Sequence, residues 1–266
     1  INALLSFFYI TWTIRALGLE NFGVMLLITT FATLVSDITH VHSWQVLLYY
    51  GTKYFDRKET RHFRSVVAFC MRSDMLSGAL GTLTGVLGVY LLGPLMHWPA
   101  REIPAAAFCM LTIAFMNTGW SIGMLRLCNR YKILTGYQAI AACIRTVGCG
   151  AGAFFHLGIG YFLFVWSLTQ ISLFILCTGA GFYLLRSHAG YAIPWKEFFA
   201  PERYFPGVWK FTLSASANGI LDSVFQQLGT LVIGSTLGSE EAAVYRVSRQ
   251  ISTGISKPAQ MMSPTV

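Results

Sequence analysis

The chain has 266 residues, of which 55% are hydrophobic and 11% charged, and its mean hydropathy is +0.56. Soluble domains carry about 25% charged residues, and a water-soluble fold of this length could not bury so much apolar surface. The formal net charge of +8 does not indicate a nucleic-acid partner, because the basic residues fall mainly in loops between apolar segments. We therefore expect a membrane protein that binds no nucleic acid.

Eight segments are apolar enough to cross a bilayer, for which a helix needs about 20 residues. The first is shortened, and we expect the last to be incomplete. We expect all eight to be helical, because a helix satisfies its own backbone in lipid, so the predicted fold class is an all-α polytopic bundle. In chain order the predicted spans are Ile1 to Leu17, Gly23 to Tyr50, Leu76 to Leu95, Pro104 to Leu125, Ile133 to His156, Gly158 to Leu185, Phe211 to Leu237 and Ala242 to Val266.

The loops between these spans alternate in charge. Residues 52–65, 126–132 and 186–210 hold twelve Lys or Arg, whereas the four loops on the other side hold only Arg101. Loops rich in Lys and Arg stay on the cytoplasmic side of a membrane, so these three loops are predicted to be cytoplasmic.

Side chains that could ligate a metal are scattered along the sequence. The six Cys residues form no CxxC pair, and His40 and His42 lie on different faces of a helix. The sequence contains no nucleotide-binding loop, zincin helix or nucleophile elbow. We therefore expect no metal site, no cofactor and no enzymatic activity.

The division of the chain follows from its ends and its longest loop. It opens at Ile1 and stops at Val266, each inside an apolar run, so we expect an internal piece of a longer protein, with no signal peptide. The longest loop holds three of the eight Pro residues and is the natural linker. The prediction is a first lobe of six helices over residues 1–187, a cytoplasmic linker over 188–209 and the start of a second lobe over 210–266.

A short repeat links the beginnings of the two predicted lobes. At an offset of 220 residues, four positions around the first outside turn match the turn before the last span: Leu17, Gly18, Glu20 and Val24 match Leu237, Gly238, Glu240 and Val244. Six spans separate the copies, so both have the same orientation. Parallel repeats are common in secondary transporters, with the substrate path between the halves. We therefore predict that residues 11–35 superpose on residues 231–255.

The pattern R-x-L-G-x-E-x-F-G from Arg15 to Gly23, followed by an Asp in the next span, resembles the start of polysaccharide-biosynthesis flippases. These belong to the multidrug/oligosaccharidyl-lipid/polysaccharide exporter superfamily. The stretch from Leu221 to Ile251 resembles the start of their second half. The resemblance implies 12 to 14 helices in two lobes around a central cavity, in a bacterial inner membrane. It also implies a polyprenyl-diphosphate-linked oligosaccharide as substrate, with membrane lipid and other polysaccharide-assembly membrane proteins as partners.

Several charged residues lie inside the apolar spans, where a mid-bilayer charge costs about 2.5–3.5 kcal/mol. We interpret four of them as cavity-lining groups that bind the substrate diphosphate: Arg145, Arg246, Arg249 and Lys257. Asp37 and Asp222 are interpreted as counter-charges, or as proton or sodium sites that couple transport to a gradient. The structural alternatives are local ion pairs and side chains that reach the interface.

Three other functions remain open at this point. A drug or cation exporter of the same superfamily would favour acidic residues in the cavity, whereas six basic and three acidic residues lie within or beside the spans here. A membrane glycosyltransferase or polymerase would need a sizeable extramembrane loop with carboxylates or His. A scaffold without transport would leave the intramembrane charges unexplained. The favoured prediction is translocation of a lipid-linked oligosaccharide.

Overall fold

The fold was obtained as a computed structural model that describes residues 2–57, 59–94, 96, 98–189 and 207–262. For residues 2–4, 188–189 and 253–262 it describes the backbone alone. Every regular element within these ranges is helical, and the all-α membrane bundle expected from the sequence is confirmed. The predicted linker 188–209 lies mostly outside the described residues, and the lobe boundaries stay a prediction.

Ten α-helices make up the described part of the chain. In chain order they are α1 (Asn2–Thr39), α2 (Ser43–Val46), α3 (Thr52–Asp56), α4 (Thr60–Leu92), α5 (Ile103–Met110), α6 (Gly119–Leu127), α7 (Tyr131–Phe154), α8 (Ile159–Ala189), α9 (Val208–Thr236) and α10 (Ser239–Met262). A π-helical turn, Leu47–Gly51, joins α2 to α3, and 3₁₀ turns at Ala100–Glu102 and Leu111–Phe115 flank α5.

Four helical stretches among the described residues are long and apolar enough to cross a membrane: Leu5–Asp56, Thr60–Leu92, Ala100–Leu127 and Ile159–Ser187. The first has 52 residues, too many for one crossing at about 1.5 Å per residue. Its break at Gly18 separates the first two predicted spans. Helices α7, α9 and α10 cover three further predicted spans but contain more polar and charged residues, so the number of eight crossings stays a prediction.

Two predicted spans are helical but not continuous. The segment from Gly23 to Tyr50 is interrupted at residues 40–42, and the segment from Pro104 to Leu125 is interrupted at residues 116–118. The predicted loop 52–65 is in fact largely helical, because α3 begins at Thr52 and α4 at Thr60. A change from apolar to polar side chains marks the edge of the lipid. The backbone can remain helical beyond that edge, because its hydrogen bonds also form in water.

Helix α4 shows how the bundle meets lipid. Two of its glycines lie against neighbouring helices, since a Cβ at Gly81 would lie 2.8 Å from Ile113 and one at Gly88 would lie 2.6 Å from Phe31. The other face exposes Leu76, Leu80, Leu83, Leu87 and Leu91. The glycines of α4 thus allow close helix packing.

Helices of both predicted lobes contribute to the larger of two buried cores. It gathers residues of α1, α5, α7 and α8 with Leu231, Ala242 and Ala243 from α9 and α10. A second core, around Phe69 and Trp120, holds α2, α4, α6 and α8 together. The apolar core is therefore continuous across the predicted lobe boundary at the end of the bundle that the charge pattern places outside.

The turns at the two repeat positions each contain a glycine with positive φ. Gly18 has φ 77° and ψ 168° inside α1, and Gly238 has φ 123° between α9 and α10. Positive φ at these values is largely restricted to glycine. The superposition of 11–35 on 231–255 stays a prediction.

Candidate functional site

A cavity of about 220 Å³ lies between α1, α7, α8 and α10. Helices α1, α7 and α8 belong to the predicted first lobe, and α10 belongs to the second. The polar residues that line it are Thr29, Thr30, Thr33, Gln170, Gln250, Arg145 and Arg246. None of the lining residues that the structure describes is acidic. The cavity therefore combines two positive charges with uncharged groups that can accept or donate hydrogen bonds.

Arg145 reaches this cavity from the middle of α7. Its guanidinium carbon lies 4.3 Å from the centroid of the Tyr9 ring on α1. A guanidinium over an aromatic face is attracted by the ring quadrupole, which also removes one face of the ion from other contacts. The edge of the guanidinium keeps its hydrogen-bond donors, so Tyr9 positions Arg145 without consuming its capacity to bind an anion.

Arg246 enters the cavity from α10 in the second lobe. Its Nη1 donates a hydrogen bond to Oε1 of Gln227 on α9 at 3.0 Å. It lies close enough to Arg249 and Arg145 for electrostatic interaction with both. Two guanidinium groups, from helices of the two predicted lobes, thus meet at one cavity with Arg249 nearby, and their mutual repulsion makes the site favourable for an anion.

The other two basic residues predicted to line the cavity have different surroundings. Arg249 is not a lining residue; its Nη1 donates to the backbone carbonyl of Gln226 on α9. The side chain of Lys257 lies outside the described residues. The structure therefore brings together Arg145 and Arg246 directly, with Arg249 beside them.

Neither acidic residue of the sequence prediction lies in the cavity. Asp37 accepts a hydrogen bond from Ser223 of α9 and interacts electrostatically with His42. His42 itself donates its backbone N–H to Oγ of Ser216 on α9 at 3.2 Å. Asp222 is exposed on α9. Asp37 thus contributes to a polar contact between the two predicted lobes and is not a lining residue of the cavity.

A buried polar network that sequence reasoning missed surrounds Asp74 of α4, which is 4% exposed. Its carboxylate accepts hydrogen bonds from Oγ of Ser43 at 2.6 Å and from the backbone N–H of Trp120 at 2.8 Å. The backbone N–H of Gly119 is a further donor. Because the first N–H groups of a helix lack internal partners, Asp74 satisfies the beginning of α6 where the span is broken.

Asn117 extends this network at the break itself. Its Nδ2 donates to Oγ of Ser77 at 2.8 Å, and its Oδ1 lies 2.8 Å from Nδ1 of His40. A signal for the break is present in the sequence, because Asn117, Thr118 and Gly119 are turn-forming residues in the middle of an apolar segment. Tyr9 and Gln170 carry no comparable signal as cavity residues.

The bundle is closed at the end predicted to be external. A Cβ at Gly23 would lie 2.0 Å from the backbone oxygen of Ser239, so α1 and α10 are in backbone contact there. Toward the predicted cytoplasmic end, Gln138 lies two turns before Arg145 on one face of α7 and is exposed.

Comparison with known proteins gives one relative in sequence and one in structure. The chain is 22% identical over 268 residues to inner membrane protein YghQ of Escherichia coli strain K12, covering 98% of this chain and 74% of that protein. A solved inward-facing structure of a multidrug resistance MATE family transporter of the MOP superfamily matches with a TM-score of 0.72 at 12% identity, over 97% of this chain. No sequence-family profile matches.

These comparisons show the fold of a multi-pass membrane transporter. The chain spans 59% of the length of the solved transporter, so the activity of a whole protein is a matter for proposal. The superfamily expected from the sequence is the one to which the structural relative belongs. Membership of the polysaccharide flippases stays a prediction.

Proposed function

We propose that this chain, which has the fold of a MOP-superfamily transporter, moves a polyprenyl-diphosphate-linked oligosaccharide across a bacterial inner membrane. The observation that carries the proposal is the cluster of Arg145, Arg246 and Arg249 around a cavity without an acidic residue among its described lining. Arginine binds phosphate oxygens through two parallel N–H donors and keeps its charge. Arg145 and Arg246 lie on helices of the two predicted lobes, and many secondary transporters have their substrate site between two such halves.

The size of the cavity indicates that it would enclose only part of the substrate. Its volume of about 220 Å³ is small for an oligosaccharide on a lipid carrier. In the proposal the diphosphate lies between the arginines, and most of the sugars lie outside the cavity. Gln170, Gln250 and the lining threonines offer hydrogen bonds to hydroxyl groups.

Export of a cationic drug is the alternative raised by the structural relative, which is a multidrug resistance transporter. The charge of the cavity opposes it, since a cationic ligand would add a like charge to three guanidinium groups. Coupling to a proton or sodium gradient through Asp37 remains part of the proposal, because Asp37 contacts Ser223 across the predicted lobe boundary.

The test is binding of a polyprenyl-diphosphate oligosaccharide to purified protein carrying Arg145→Gln or Arg246→Gln. Each loss of a charge-assisted hydrogen bond to phosphate is worth about 1.5–3 kcal/mol, so we expect binding weakened about 10- to 100-fold. The Lys variants keep the charge without the planar fork and should lie between wild type and Gln. Arg101→Gln, at an exposed external position paired with Glu102, is the matched control and should bind normally.

Unchanged binding in both Gln variants, with normal folding by size-exclusion chromatography, would contradict the proposal. Cellular extrusion of a cationic dye that depends on this protein, without binding of the glycolipid, would favour the exporter. Surface-glycan complementation by the same variants then tests transport in cells.

A further inference from the structure

A second concave site lies on another face of α7 and shares no lining residue with the arginine cavity. It is a groove of about 480 Å³ between the end of α6, the start of α7 and the last turns of α8. Its walls are mostly apolar or aromatic: Leu125, Ile133, Tyr137, Gly179, Ala180, Tyr183 and Leu184. Arg130 is its one charged lining residue among those described.

One of the lining residues of the groove is a glycine with open space beside it. A Cβ placed on Gly179 would meet no atom within 4 Å. Tyr183, one turn later on α8, is 74% exposed, and Ile133 across the groove is 36% exposed. In a bilayer these apolar walls face acyl chains, so the groove is a slot for a lipid chain between two helices.

The charge at the groove lies on one side of the membrane. Arg130 and Lys132 belong to the basic loop 126–132, and Arg186 follows Tyr183 by three residues on α8. The positive-inside rule places these residues at the cytoplasmic headgroup level. Basic pockets between helices on that side bind anionic headgroups, and Tyr137 and Tyr183 have the interfacial chemistry that anchors such a position.

We propose that this groove binds an anionic phospholipid, with the lipid phosphate on the Arg130 guanidinium and one acyl chain along Gly179, Ala180 and Tyr183. The guanidinium supplies two donors to phosphate oxygens in one plane. Among the described residues Arg130 has no acidic partner, so its charge is available to the phosphate. The start of α7 at Tyr131 adds the positive end of a 24-residue helix beside it.

The lipid site is distinct from the proposed transport site. Ile133 and Tyr137 are one turn apart on α7, whereas Gln138 and Arg145 lie on a face rotated by about 100°. The lipid would therefore occupy the outer surface of the predicted first lobe and hold α7 in place against α8. Its role is to fix the cytoplasmic half of α7, the helix that carries Arg145, and it does not depend on which cargo is moved.

Native mass spectrometry of the purified protein tests this site, with phosphatidylglycerol and phosphatidylethanolamine added separately. We expect tighter binding of phosphatidylglycerol, weakened about fivefold in Arg130→Gln. In Gly179→Leu the new side chain fills the groove without a backbone clash, and the specific lipid adduct should be lost. Gly136→Leu adds the same side chain at another helical glycine with open space, outside the groove, and should bind lipid normally. Arg61→Gln is the charge control on the same predicted side.

Equal binding of the two lipids, or full phosphatidylglycerol binding in both Arg130→Gln and Gly179→Leu, would overturn the proposal. Displacement of the lipid by inorganic phosphate at the same concentration would show a free-anion site and would also overturn it. If Gly179→Leu fails to fold, the Arg130→Gln comparison alone decides. Loss of lipid binding with normal glycolipid binding separates this site from the proposed transport function.

Discussion

The carboxylate of Asp74 is enclosed by neutral hydrogen-bond donors, and we expect its removal to destabilise the whole predicted first lobe. In Asp74→Leu the backbone N–H groups of Gly119 and Trp120 lose their acceptor inside the bundle. Each such loss costs about 1–3 kcal/mol. We expect a clearly lower apparent melting temperature in detergent, measured by fluorescence-detected size-exclusion chromatography, and a smaller loss in Asp74→Asn, which keeps one acceptor oxygen.

Asp56 provides the control for this experiment, because it is exposed at the end of α3. Asp56→Leu should leave the melting temperature nearly unchanged. A melting temperature of Asp74→Leu equal to that of wild type would mean that the start of α6 finds another acceptor.

The candidate site was partly predictable at the level of single residues. Arg145 and Arg246 stood out because charge inside an apolar span needs a polar environment, and both line the cavity. The position of Arg249 beside the cavity depends on a contact with Gln226 that helical periodicity does not encode. Tyr9 was unpredictable for the same reason, since an aromatic residue in a span is equally suited to lipid.

At the scale of elements, Gly18 makes the turn between the first two spans. Its φ of 77° and ψ of 168° fall in a region that costs other residues about 1–3 kcal/mol. We expect Gly18→Ala to lower the thermal stability, and Gly238→Ala to do the same at the matched turn. Gly136→Ala, at a helical position with open space, should leave stability unchanged or slightly raised. The measurement is the thermal unfolding midpoint of each variant, and equal midpoints for all three would refute the conformational argument.

Hydropathy predicted where helices lie but not where they break. Contact with lipid requires apolar side chains. The residues around Asn117 meet this requirement whether or not the helix is continuous. The break is determined instead by partners from distant parts of the chain, namely Asp74 and Ser77 of α4 and His40 after α1. A hydropathy average along one segment contains no information about such partners.

At the scale of the whole molecule, the contact of Gly23 with Ser239 holds the external ends of the two predicted lobes together. A Cβ at Gly23 would lie 2.0 Å from a backbone oxygen, so Gly23→Val must separate α1 from α10 there. We expect a cysteine at the buried, cavity-lining Thr30 to react faster with a membrane-impermeant thiol reagent added from outside in Gly23→Val.

The exposed native thiol of Cys143 is replaced by Ser in this experiment. Gly160→Val, at a glycine with open space, is the matched control and should not change the labelling rate. Equal rates in Gly23→Val and in the unsubstituted background would mean that this contact does not close the external end.

The break between α5 and α6 has a consequence for biosynthesis. Helix α6 has 9 residues, about 14 Å of rise, which is less than half the hydrocarbon thickness. It cannot be inserted as an independent crossing, and its first N–H groups enter the bilayer without partners. Asp74 and Ser77 are translated before Asn117 and Gly119. The acceptor oxygens of Asp74 and Ser77 are therefore already in the membrane when the interrupted segment leaves the ribosome. The order of the chain thus makes α4 the template on which the interrupted segment assembles, and the reverse order would leave those groups unsatisfied during insertion.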